Sequence, residues 1–404
     1  MSTVALFSSC ALDGAGRPDP FFLQELPWLR AHFDRVLLCS YYGTAWMTED
    51  RPERVAADAR GGWSARFRPF FTRECWRELA HLRHDGRLTA ANAAKLYLFA
   101  VRGQRMRLRA RRALRGEQDV TLYSYWMSYD AYAAALCRCD LPPCRAIARG
   151  HAFDVDVARN PMNPYLMKKF IVSRLDGVYP ISQLASRQLA ACVDVPKGKL
   201  HVVAMGSRGG ETTRRLDPPL FADGALHVVS CASLVPIKRV SLLIDALAAY
   251  PGPVSWLHLG GGEQEEALRA QAAEKLKGRK WKITGRVDSE DVLKTYERQP
   301  FDLFVNTSEN EGVPVSIMEA MRFGLPVLAP NVGGIPELVD EQNGLLFEGG
   351  AREIARKLEE FAALPRTRVE AMRAASQKRW NERYRSESLL PLLFPARGAE
   401  GTSE

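Results

Sequence analysis

Short apolar runs alternate with amphipathic stretches along the chain, and this alternation occurs twice. Short apolar runs bounded by turn residues are typical of buried strands, whereas apolar positions spaced three and four apart are typical of helices. In the first half the predicted strands are Val4–Phe7, Arg35–Ser40, Val120–Tyr125, Arg145–Ala148, Gly177–Ile181 and Leu200–Ala204, and the predicted helices include Phe22–His32 and Ala131–Arg138. In the second half the predicted strands are Leu226–Ala232, Val254–Gly260, Trp281–Thr284, Leu303–Thr307, Pro326–Pro330 and Gly344–Phe347, and the predicted helices are Val240–Tyr250, Gln264–Leu276, Ser289–Arg298 and Val315–Phe323.

Strands that are apolar throughout and separated by helices predict parallel sheets covered by helices on both faces. The pattern breaks near Met205–Ala222, a stretch rich in Gly, Pro and charged residues, as linkers are. We therefore expect an α/β protein of two doubly wound Rossmann-like domains, over residues 1–205 and 206–372. Ligands of such sheets bind beyond the carboxyl ends of the strands, so a site is expected in a cleft between the domains.

The composition is that of a globular protein and excludes global disorder, because 46% of the 404 residues are hydrophobic and 25% are charged. No apolar run approaches the ~18 residues of a membrane span. The N-terminus lacks the basic start of a signal peptide. Eight cysteines are too few for a disulfide scaffold. These features predict a cytoplasmic protein.

The positive charge of the chain is concentrated in one region. Residues 60–120 carry fifteen Lys or Arg and five Asp or Glu, a net charge of +10 against +9 for the whole chain. The densest part is 102–115, with seven arginines. Such a run is either a solvated helix face or a surface attracted to an anionic membrane, at the inner face of that membrane. The region has no nucleic-acid-binding motif, so no nucleic-acid partner is expected.

The segment 308–321 predicts a strand end, a tight turn and a helix. Gly312 permits a sharp turn, and Pro314 suits the first turn of a helix. Gly324 stands where a helix ends, and Pro326 prevents its continuation. The start of such a helix presents unpaired N–H groups and the positive end of the helix dipole, which suit an anionic group such as a diphosphate.

Two glutamates flank this predicted turn. Glu311 precedes the helix, and Glu319 lies in its second turn. Because helical side chains lean toward the N-terminus, both carboxylates can face one pocket. Carboxylates are poor phosphate ligands, but they accept hydrogen bonds from hydroxyl groups such as those of ribose and sugars. The alternative is that both are solvated helix charges.

This segment, together with 323–327 and 332–337 after it, resembles the donor site of the family-four retaining glycosyltransferases (glycosyl transferases group 1), which have the GT-B fold. Three more segments agree in order and spacing. Residues 230–239 resemble the phosphate-binding strand and loop of that family, residues 257–263 its glycine-rich turn, and residues 283–287 the strand end beside the nucleotide base. The resemblance covers nearly all of residues 226–350.

The resemblance implies a role for each matching residue. Glu319 is expected to bind the ribose hydroxyls, Glu311 to face the donor sugar, and Lys238 to neutralise the diphosphate. The family usually has an arginine where this chain has Ser233, so Arg239 is expected to supply the second cation. The remaining donor contacts are expected at Gly285, Arg286 and Val287 around the base, and at Asn310, Gly312, Val313, Pro314, Val315 and Ser316 near the phosphates or the sugar.

The first half resembles the family less closely. His151 stands in a segment where relatives place a histidine facing the donor sugar, although a structural role stays open. Asp154 and Asp156 have the spacing of metal-dependent glycosyltransferases of another fold, and we expect no metal there. Residues 13–16 are either a ligand-facing loop or an ordinary turn. By analogy with relatives, a C-terminal helix over 373–394 is expected to complete the first domain.

The resemblance implies a retaining glycosyltransferase. It is expected to move a sugar from a nucleoside-diphosphate sugar to a glycan or lipid-linked acceptor in bacterial polysaccharide assembly, with no metal or other cofactor. Two alternatives stay open. One is a nucleotide-sugar epimerase or a phosphorylase of the same fold. The other is a non-catalytic basic module that binds membrane or nucleic acid, which the intact Glu311, Glu319 and Lys238 disfavour.

Overall fold

The computed structural model describes residues 1–8, 23–48, 51–54, 61–141, 143–157, 160, 165–196, 198–209 and 223–395. The chain divides into two compact units, Met1–Val203 with Leu390–Glu404 (unit 1) and Ala204–Leu389 (unit 2). The division after Val203 lies two residues from the predicted boundary. The predicted loop 13–16 and residues 210–222 of the predicted linker lie outside the described residues.

Strands and helices alternate through both units. The strands are β1 Ser2–Phe7, β2 Arg35–Cys39, β3 Thr44–Thr48, β4 Arg51–Arg54, β5 Asp119–Ser124, β6 Arg145–Gly150, β7 Gly177–Pro180, β8 Leu226–Cys231, β9 Val254–Leu259, β10 Lys280–Ile283, β11 Leu303–Val305, β12 Val327–Pro330 and β13 Gly344–Phe347. The helices are α1 Leu26–His32, α2 Gly61–Phe71, α3 Arg73–His84, α4 Ala90–Ala113, α5 Tyr129–Asp140, α6 Ala152–Val155, α7 Lys168–Arg174, α8 Gln183–Cys192, α9 Val240–Ala249, α10 Glu265–Lys275, α11 Ser289–Arg298, α12 Val315–Arg322, α13 Ile335–Leu338, α14 Ala351–Ala362, α15 Arg366–Arg383 and α16 Ser386–Leu393, with a 3-10 helix at Pro236–Lys238.

The sheet of unit 1 has the strand order β4-β3-β2-β1-β5-β6-β7. The five adjacent strands β2, β1, β5, β6 and β7 are parallel to one another, as the apolar runs predict. Strands β3 and β4 add an antiparallel edge beside β2. The predicted strand Leu200–Ala204 is wrong as a regular strand, because only an isolated bridge from Val178 to Leu200 forms beside β7. Two backbone hydrogen bonds, from His201 to Val178 and from Val203 to Pro180, continue this irregular edge.

The sheet of unit 2 is entirely parallel, with the strand order β10-β9-β8-β11-β12-β13. In chain order this is the 3-2-1-4-5-6 arrangement of the Rossmann fold. The direction of winding reverses between β8 and β11, so the loops that follow these two strands diverge from adjacent carboxyl ends. Such a switch point is where open α/β sheets bind ligands. Two doubly wound α/β units are thus confirmed.

Each unit has its own apolar core, and the helices end where local chemistry dictates. Helix α12 ends in a Schellman motif: Gly324, at φ +67°, donates to Met321, and Leu325 donates to Ala320.

At the C-terminus, residues 373–389 stay within unit 2, and only the chain from Leu390 packs with unit 1. There the Phe394 ring contacts the rings of Trp28, Phe33 and Tyr123.

None of the helices in the described ranges has the length and apolar character that crossing a membrane requires.

Candidate functional site

Lys238, predicted to neutralise the diphosphate, and Glu311, predicted to face the donor sugar, meet at the switch point of unit 2. The loop after β8 carries Lys238, and the loop after β11 carries Glu311. The two side chains form an ion pair, with 2.5 Å between the lysine Nζ and the glutamate Oε1. Ser308 donates its hydroxyl to the same oxygen at 2.7 Å. Residues 73 positions apart are thus joined by a charge-assisted hydrogen bond at the carboxyl edge of the sheet.

Arg239, expected to supply the second cation, contacts the backbone of the neighbouring loop. Its backbone is left-handed, at φ +47°. Its guanidinium donates to the carbonyl of Thr307 at 2.9 Å and to that of Ser308 at 3.2 Å. The Thr307 hydroxyl in turn donates to the carbonyls of Lys238 and Arg239. Arg239 therefore fastens the loop after β8 to the loop after β11. Ser233, at the other position discussed for a second cation, is exposed.

Glycines let the loops of this site pack directly on one another. A Cβ at Gly333, which has φ +57°, would lie 1.9 Å from the carbonyl oxygen of Glu311, and one at Gly334 would lie 2.0 Å from that of Gly312. Contacts this close admit only glycine. The two glycines therefore fix the backbone on which Glu311 stands.

The same device supports the loop after β8. A Cβ at Gly260 would lie 2.0 Å from the carbonyl oxygen of Ala232. His258 also holds this carbonyl, with its Nε2 at 3.1 Å from the oxygen and its Nδ1 at 2.8 Å from the Ser230 hydroxyl. Burial lowers the pKa of His258 to about 4, so the ring is neutral, donates from Nε2 and accepts at Nδ1. The sequence reasoning missed this histidine, although its place before the glycine-rich turn marks it.

Glu319 lies in the second turn of α12 and is buried, with 8% of its surface exposed. Burial raises the pKa of its carboxyl to about 7, against smaller lowering effects of the Ser289 hydroxyl and the charge of Arg322. The Ser289 oxygen lies 3.5 Å from the carboxylate. A buried carboxyl with this pKa gains stability when hydroxyl donors reach its charged form. Ser289, at the start of α11, is a further site residue that the sequence reasoning missed.

The strand end expected beside the base lies close to the glycine-rich turn. Gly285, at φ +76°, forms an isolated antiparallel bridge with Gly260, and a Cβ there would lie 3.3 Å from a Glu265 carboxylate oxygen. Arg286 is exposed and Val287 is half-buried. These residues border the loop after β9 but make no recorded contact with Glu319.

The remaining predicted donor residues form the turn into α12. Pro314 is the N-cap rather than the first helical residue, and Val315 and Ser316 begin the helix. Val313 and Pro314 are buried, whereas Asn310, Gly312, Val315 and Ser316 are partly exposed. Helix α12 begins four residues after Glu311, and the first backbone N–H groups of a helix have no partner within it, as an anion site requires.

In unit 1, His151 follows β6 and is buried between aromatic rings. Its ring centroid lies 4.5 Å from that of Trp126 and 5.1 Å from that of Tyr125. Burial, then the nearby charge of Arg149, lowers the pKa of His151 to about 3. The imidazole is therefore neutral at any physiological pH, and it can offer a hydrogen bond but not a positive charge.

A buried ionic network lies just before His151 in the chain. Arg149 donates to Glu25 at 3.0 Å, and Tyr123 donates to the other oxygen of the same carboxylate at 2.9 Å. All three side chains are buried. The sequence reasoning did not connect these residues, because they come from three distant segments and only the folded sheet brings them together.

Asp154, one of the two aspartates with the spacing of metal-dependent glycosyltransferases, accepts hydrogen bonds from the backbone. Its carboxylate accepts hydrogen bonds from the N–H groups of Met127 and His151, at 3.0 and 3.2 Å. The Lys168 ammonium donates to the Met127 carbonyl beside it. Asp154 thus caps α6 and orders the loop after β5, and Asp156 lies just past the end of α6.

The arginine-rich segment 102–115 forms the last turns of α4 and the two residues after it, and several of its side chains bind the protein itself. Arg107 pairs with both oxygens of Asp140, at 2.5 and 2.6 Å. Arg105 donates to the Tyr41 hydroxyl, and Arg109 donates to the Tyr41 carbonyl. Part of the charge that suggested a membrane surface therefore stabilises the packing of α4 on unit 1.

Residues 215–379 match the family model described as glycosyl transferases group 1. The chain is 29% identical to the amylovoran biosynthesis glycosyltransferase AmsK of Erwinia amylovora over 187 residues, which are 44% of this chain and 45% of that protein. It is also 29% identical to the putative colanic acid biosynthesis glycosyltransferase WcaL of Escherichia coli over 225 residues, 53% of this chain and 54% of that protein. The chain thus spans about half the length of the curated relatives it matches.

Solved structures resemble the whole chain. Anabaena Alr3699/HepE in complex with UDP superposes with a TM-score of 0.66 at 17% identity, covering 98% of both chains. Sucrose-phosphate synthase from Thermosynechococcus elongatus superposes with a TM-score of 0.68 at 15% identity, also covering 98% of both. At such identities the likeness shows the fold, which is GT-B. The chain therefore has the GT-B fold, and its residues 215–379 match the glycosyl transferases of group 1.

Proposed function

We propose that the protein is a retaining glycosyltransferase that moves a sugar from a nucleoside-diphosphate sugar to a glycan or lipid-linked acceptor in bacterial polysaccharide assembly. The observation that carries this proposal is the juxtaposition of Lys238 and Glu311 beside the N-terminus of α12, at the switch point of unit 2. The relatives named for amylovoran and colanic acid biosynthesis, and the structural neighbour Anabaena Alr3699/HepE in complex with UDP-glucose, support it.

Each group in the site has a distinct task in this proposal. The N–H groups at the start of α12 and the Lys238 ammonium bind the diphosphate and stabilise its charge as it leaves. The buried carboxylate of Glu319 accepts hydrogen bonds from the ribose hydroxyls. Glu311 holds Lys238 in position and accepts from a hydroxyl of the donor sugar. Arg239 positions the two loops rather than contacting phosphate, because its guanidinium donates to two backbone carbonyls.

The transfer breaks the bond between the anomeric carbon and the diphosphate oxygen and forms a bond from that carbon to the acceptor oxygen. The acceptor hydroxyl attacks from the face that the diphosphate leaves, and its proton passes to the departing phosphate oxygen. Configuration is retained, and no separate base is required. His151 is neutral because of its low pKa, so it offers a hydrogen bond to a sugar hydroxyl rather than a proton.

A cavity of 360 Å³ in unit 1 fits a glycan acceptor. Trp126, Tyr129 and Phe153 line it and offer flat apolar faces on which sugar rings can stack. Lys95 and Arg102 also line it, and they favour an acceptor that carries negative charge, such as a phosphate-linked lipid glycan. Trp126 connects this cavity to His151, whose ring lies 4.5 Å away.

The proposed transfer uses no metal ion. Lys238 and the start of α12 supply the positive charge that a divalent cation would otherwise provide. The carboxylate of Asp154 already accepts two backbone hydrogen bonds. We therefore expect a chelator to leave turnover unchanged. Loss of activity on chelation, restored by manganese, would contradict this part of the proposal.

The deciding experiment is a panel of UDP- and GDP-sugars, with mass-spectrometric analysis of the products with and without a phosphate-linked lipid glycan. We expect sugars of one nucleotide class to stabilise the folded protein against unfolding. We expect sugar transfer, with retained anomeric configuration, only when the acceptor is present. An isomerised nucleotide sugar formed without acceptor would instead identify an epimerase. A sugar phosphate formed only with inorganic phosphate would identify a phosphorylase.

A further inference from the structure

Helices α2 and α3 of unit 1 expose large aromatic side chains that the sugar-transfer proposal does not use. Phe67, Phe70 and Phe71 lie on α2 and are 53%, 53% and 84% exposed, and Trp76 on α3 is 59% exposed. Positions 67, 70 and 71 are three and four residues apart, so these phenylalanines share one face of their helix. We call these four residues the aromatic surface.

The aromatic surface has a defined geometry. The Trp76 indole donates to the Phe70 carbonyl at 2.9 Å, which joins α2 to α3. The Phe70 ring lies 5.4 Å from the ring of Tyr97 on α4, and the Tyr97 hydroxyl donates to the Arg66 carbonyl. The exposed rings of Phe70 and Trp76 are therefore held in place by neighbouring helices. Solvent exposure of several fixed aromatic rings is unfavourable in water and marks a contact surface.

An apolar cavity opens beside these rings. It measures 350 Å³, and Phe70, Trp76, Leu79 and Leu96 are among its lining residues. Its lining carries no charged side chain among the described residues. Such a cavity accepts a hydrocarbon group, whereas a sugar or a nucleotide would leave its polar groups unpaired there.

Basic side chains surround the aromatic surface. Residues 64–77 contain four arginines, Arg66, Arg68, Arg73 and Arg77, and a single acidic residue, Glu74. Arg66, Arg73 and Arg77 are exposed. Aromatic rings that enter the headgroup region, flanked by arginines that attract anionic lipid, are typical of surfaces that bind a bilayer from one side.

We propose that the aromatic surface and its flanking arginines dock unit 1 on an anionic phospholipid bilayer. This site differs from the segment 102–115, where Arg105, Arg107 and Arg109 bind groups of the protein. A bilayer fits better than a second protein, because the surface offers apolar rings and positive charge to a partner that presents hydrocarbon beneath a layer of negative charge. The proposal does not rest on the proposed sugar transfer.

Co-sedimentation with vesicles tests this proposal. The vesicles contain phosphatidylcholine alone or with about 30% phosphatidylglycerol, in about 0.1 M and about 1 M salt. We expect binding to the anionic vesicles that falls at least about tenfold at high salt, because the Debye length shortens from about 10 Å to about 3 Å. Binding should be weak on neutral vesicles. Equal binding to both, or to neither, would overturn the proposal.

Three double variants locate the surface. Phe67→Ser with Phe71→Ser, and Arg73→Gln with Arg77→Gln, should each weaken binding to anionic vesicles by about tenfold or more. The matched control is Arg111→Gln with Arg112→Gln, on exposed positions of α4 outside the surface, which should bind as the wild type does. Loss of binding only in the control would assign the membrane contact to 102–115 and refute the proposal.

Two further measurements keep the outcome unambiguous. Thermal unfolding followed by circular dichroism shows whether each variant keeps its fold, which we expect because every substituted side chain is exposed. Light scattering after size exclusion measures the oligomeric state. A dimer that is lost in Phe67→Ser with Phe71→Ser, with vesicle binding unchanged, would show that a second copy covers the surface instead.

Discussion

Replacing Glu319 by glutamine is expected to stabilise the protein and to weaken nucleotide binding at once. Burial raises the pKa of this carboxyl from 4.5 to about 7. The folded protein therefore binds more protons than the unfolded chain between about pH 4.5 and pH 7, and its stability falls as the pH rises through that window. At ~1.36 kcal/mol per unit, this shift corresponds to a loss of about 3 kcal/mol that is complete above about pH 7. Glutamine does not titrate and removes the loss.

Urea unfolding across the pH range measures this effect. The free energy of unfolding of Glu319→Gln should equal that of the wild type near pH 4.5 and exceed it by about 3 kcal/mol near pH 8. Glu309→Gln is the matched control, because Glu309 is exposed and lies before the same helix. It should follow the wild type throughout. A Glu319→Gln protein that is less stable than the wild type near pH 8 would refute the assigned environment of the carboxyl.

The same variant tests the role of Glu319 toward the nucleotide. Hydrogen bonds from ribose hydroxyls to a carboxylate contribute about 1.5–3 kcal/mol each, so UDP or GDP should bind Glu319→Gln about 10- to 100-fold more weakly near pH 8. Near pH 6 most of the wild-type carboxyl is protonated, and this difference should shrink by about tenfold. The titration of the diphosphate itself cancels in the ratio of the two affinities. A ratio that is constant between about pH 6 and pH 8 in calorimetric titrations would refute the assignment.

Three other substitutions test separate parts of the structure. Glu311→Gln frees its partner Lys238, so the affinity for UDP should be kept or increased, while kcat with the whole donor should fall. Calorimetry and turnover assays measure the two effects. A loss of UDP affinity would contradict the assignment. Gly333→Ala would place a Cβ 1.9 Å from a carbonyl oxygen, at a residue whose φ is +57°. This substitution should lower the free energy of unfolding by at least ~1–3 kcal/mol. Gly350→Ala, which has open space around it, should not lower it. Glu25→Ala removes the carboxylate partner of the buried Arg149 guanidinium and should lower the free energy of unfolding by about 3–5 kcal/mol in urea; a loss below ~1 kcal/mol would refute a tight pair.

The fold of unit 2 could be predicted closely because its sheet is buried on both faces. Such strands appear in the sequence as continuous apolar runs, and Gly344–Phe347 coincides with β13 at both ends. The predicted helix Ser289–Arg298 also coincides with α11. The antiparallel edge of unit 1 gave no such signal. Its strand β4, Arg51–Arg54, is short, polar and interrupted by Pro52, so it resembles a loop in sequence.

The sequence supplies candidate residues for the site but not the contacts between them. The sequence places Lys238 after one strand and Glu311 after another, and only the strand order β8-β11 makes them neighbours. Arg239 shows the limit of reasoning from charge alone. A lone arginine next to Lys238 suggests a phosphate ligand, but the left-handed backbone at this residue directs its guanidinium to the carbonyls of Thr307 and Ser308.

The charge of unit 1 illustrates the same difference at the scale of a surface. The run 102–115 has the highest density of arginine in the chain, yet it spreads its arginines over more than one helix face, and Arg105, Arg107 and Arg109 are only partly exposed. Arg105 and Arg109 point toward Tyr41, and Arg107 toward Asp140. The sparser arginines of 64–77 instead flank exposed rings on two joined helices. The side chains between the charges therefore decide what a basic segment can bind, and the proposed docking on a bilayer rests on the exposed rings between these arginines.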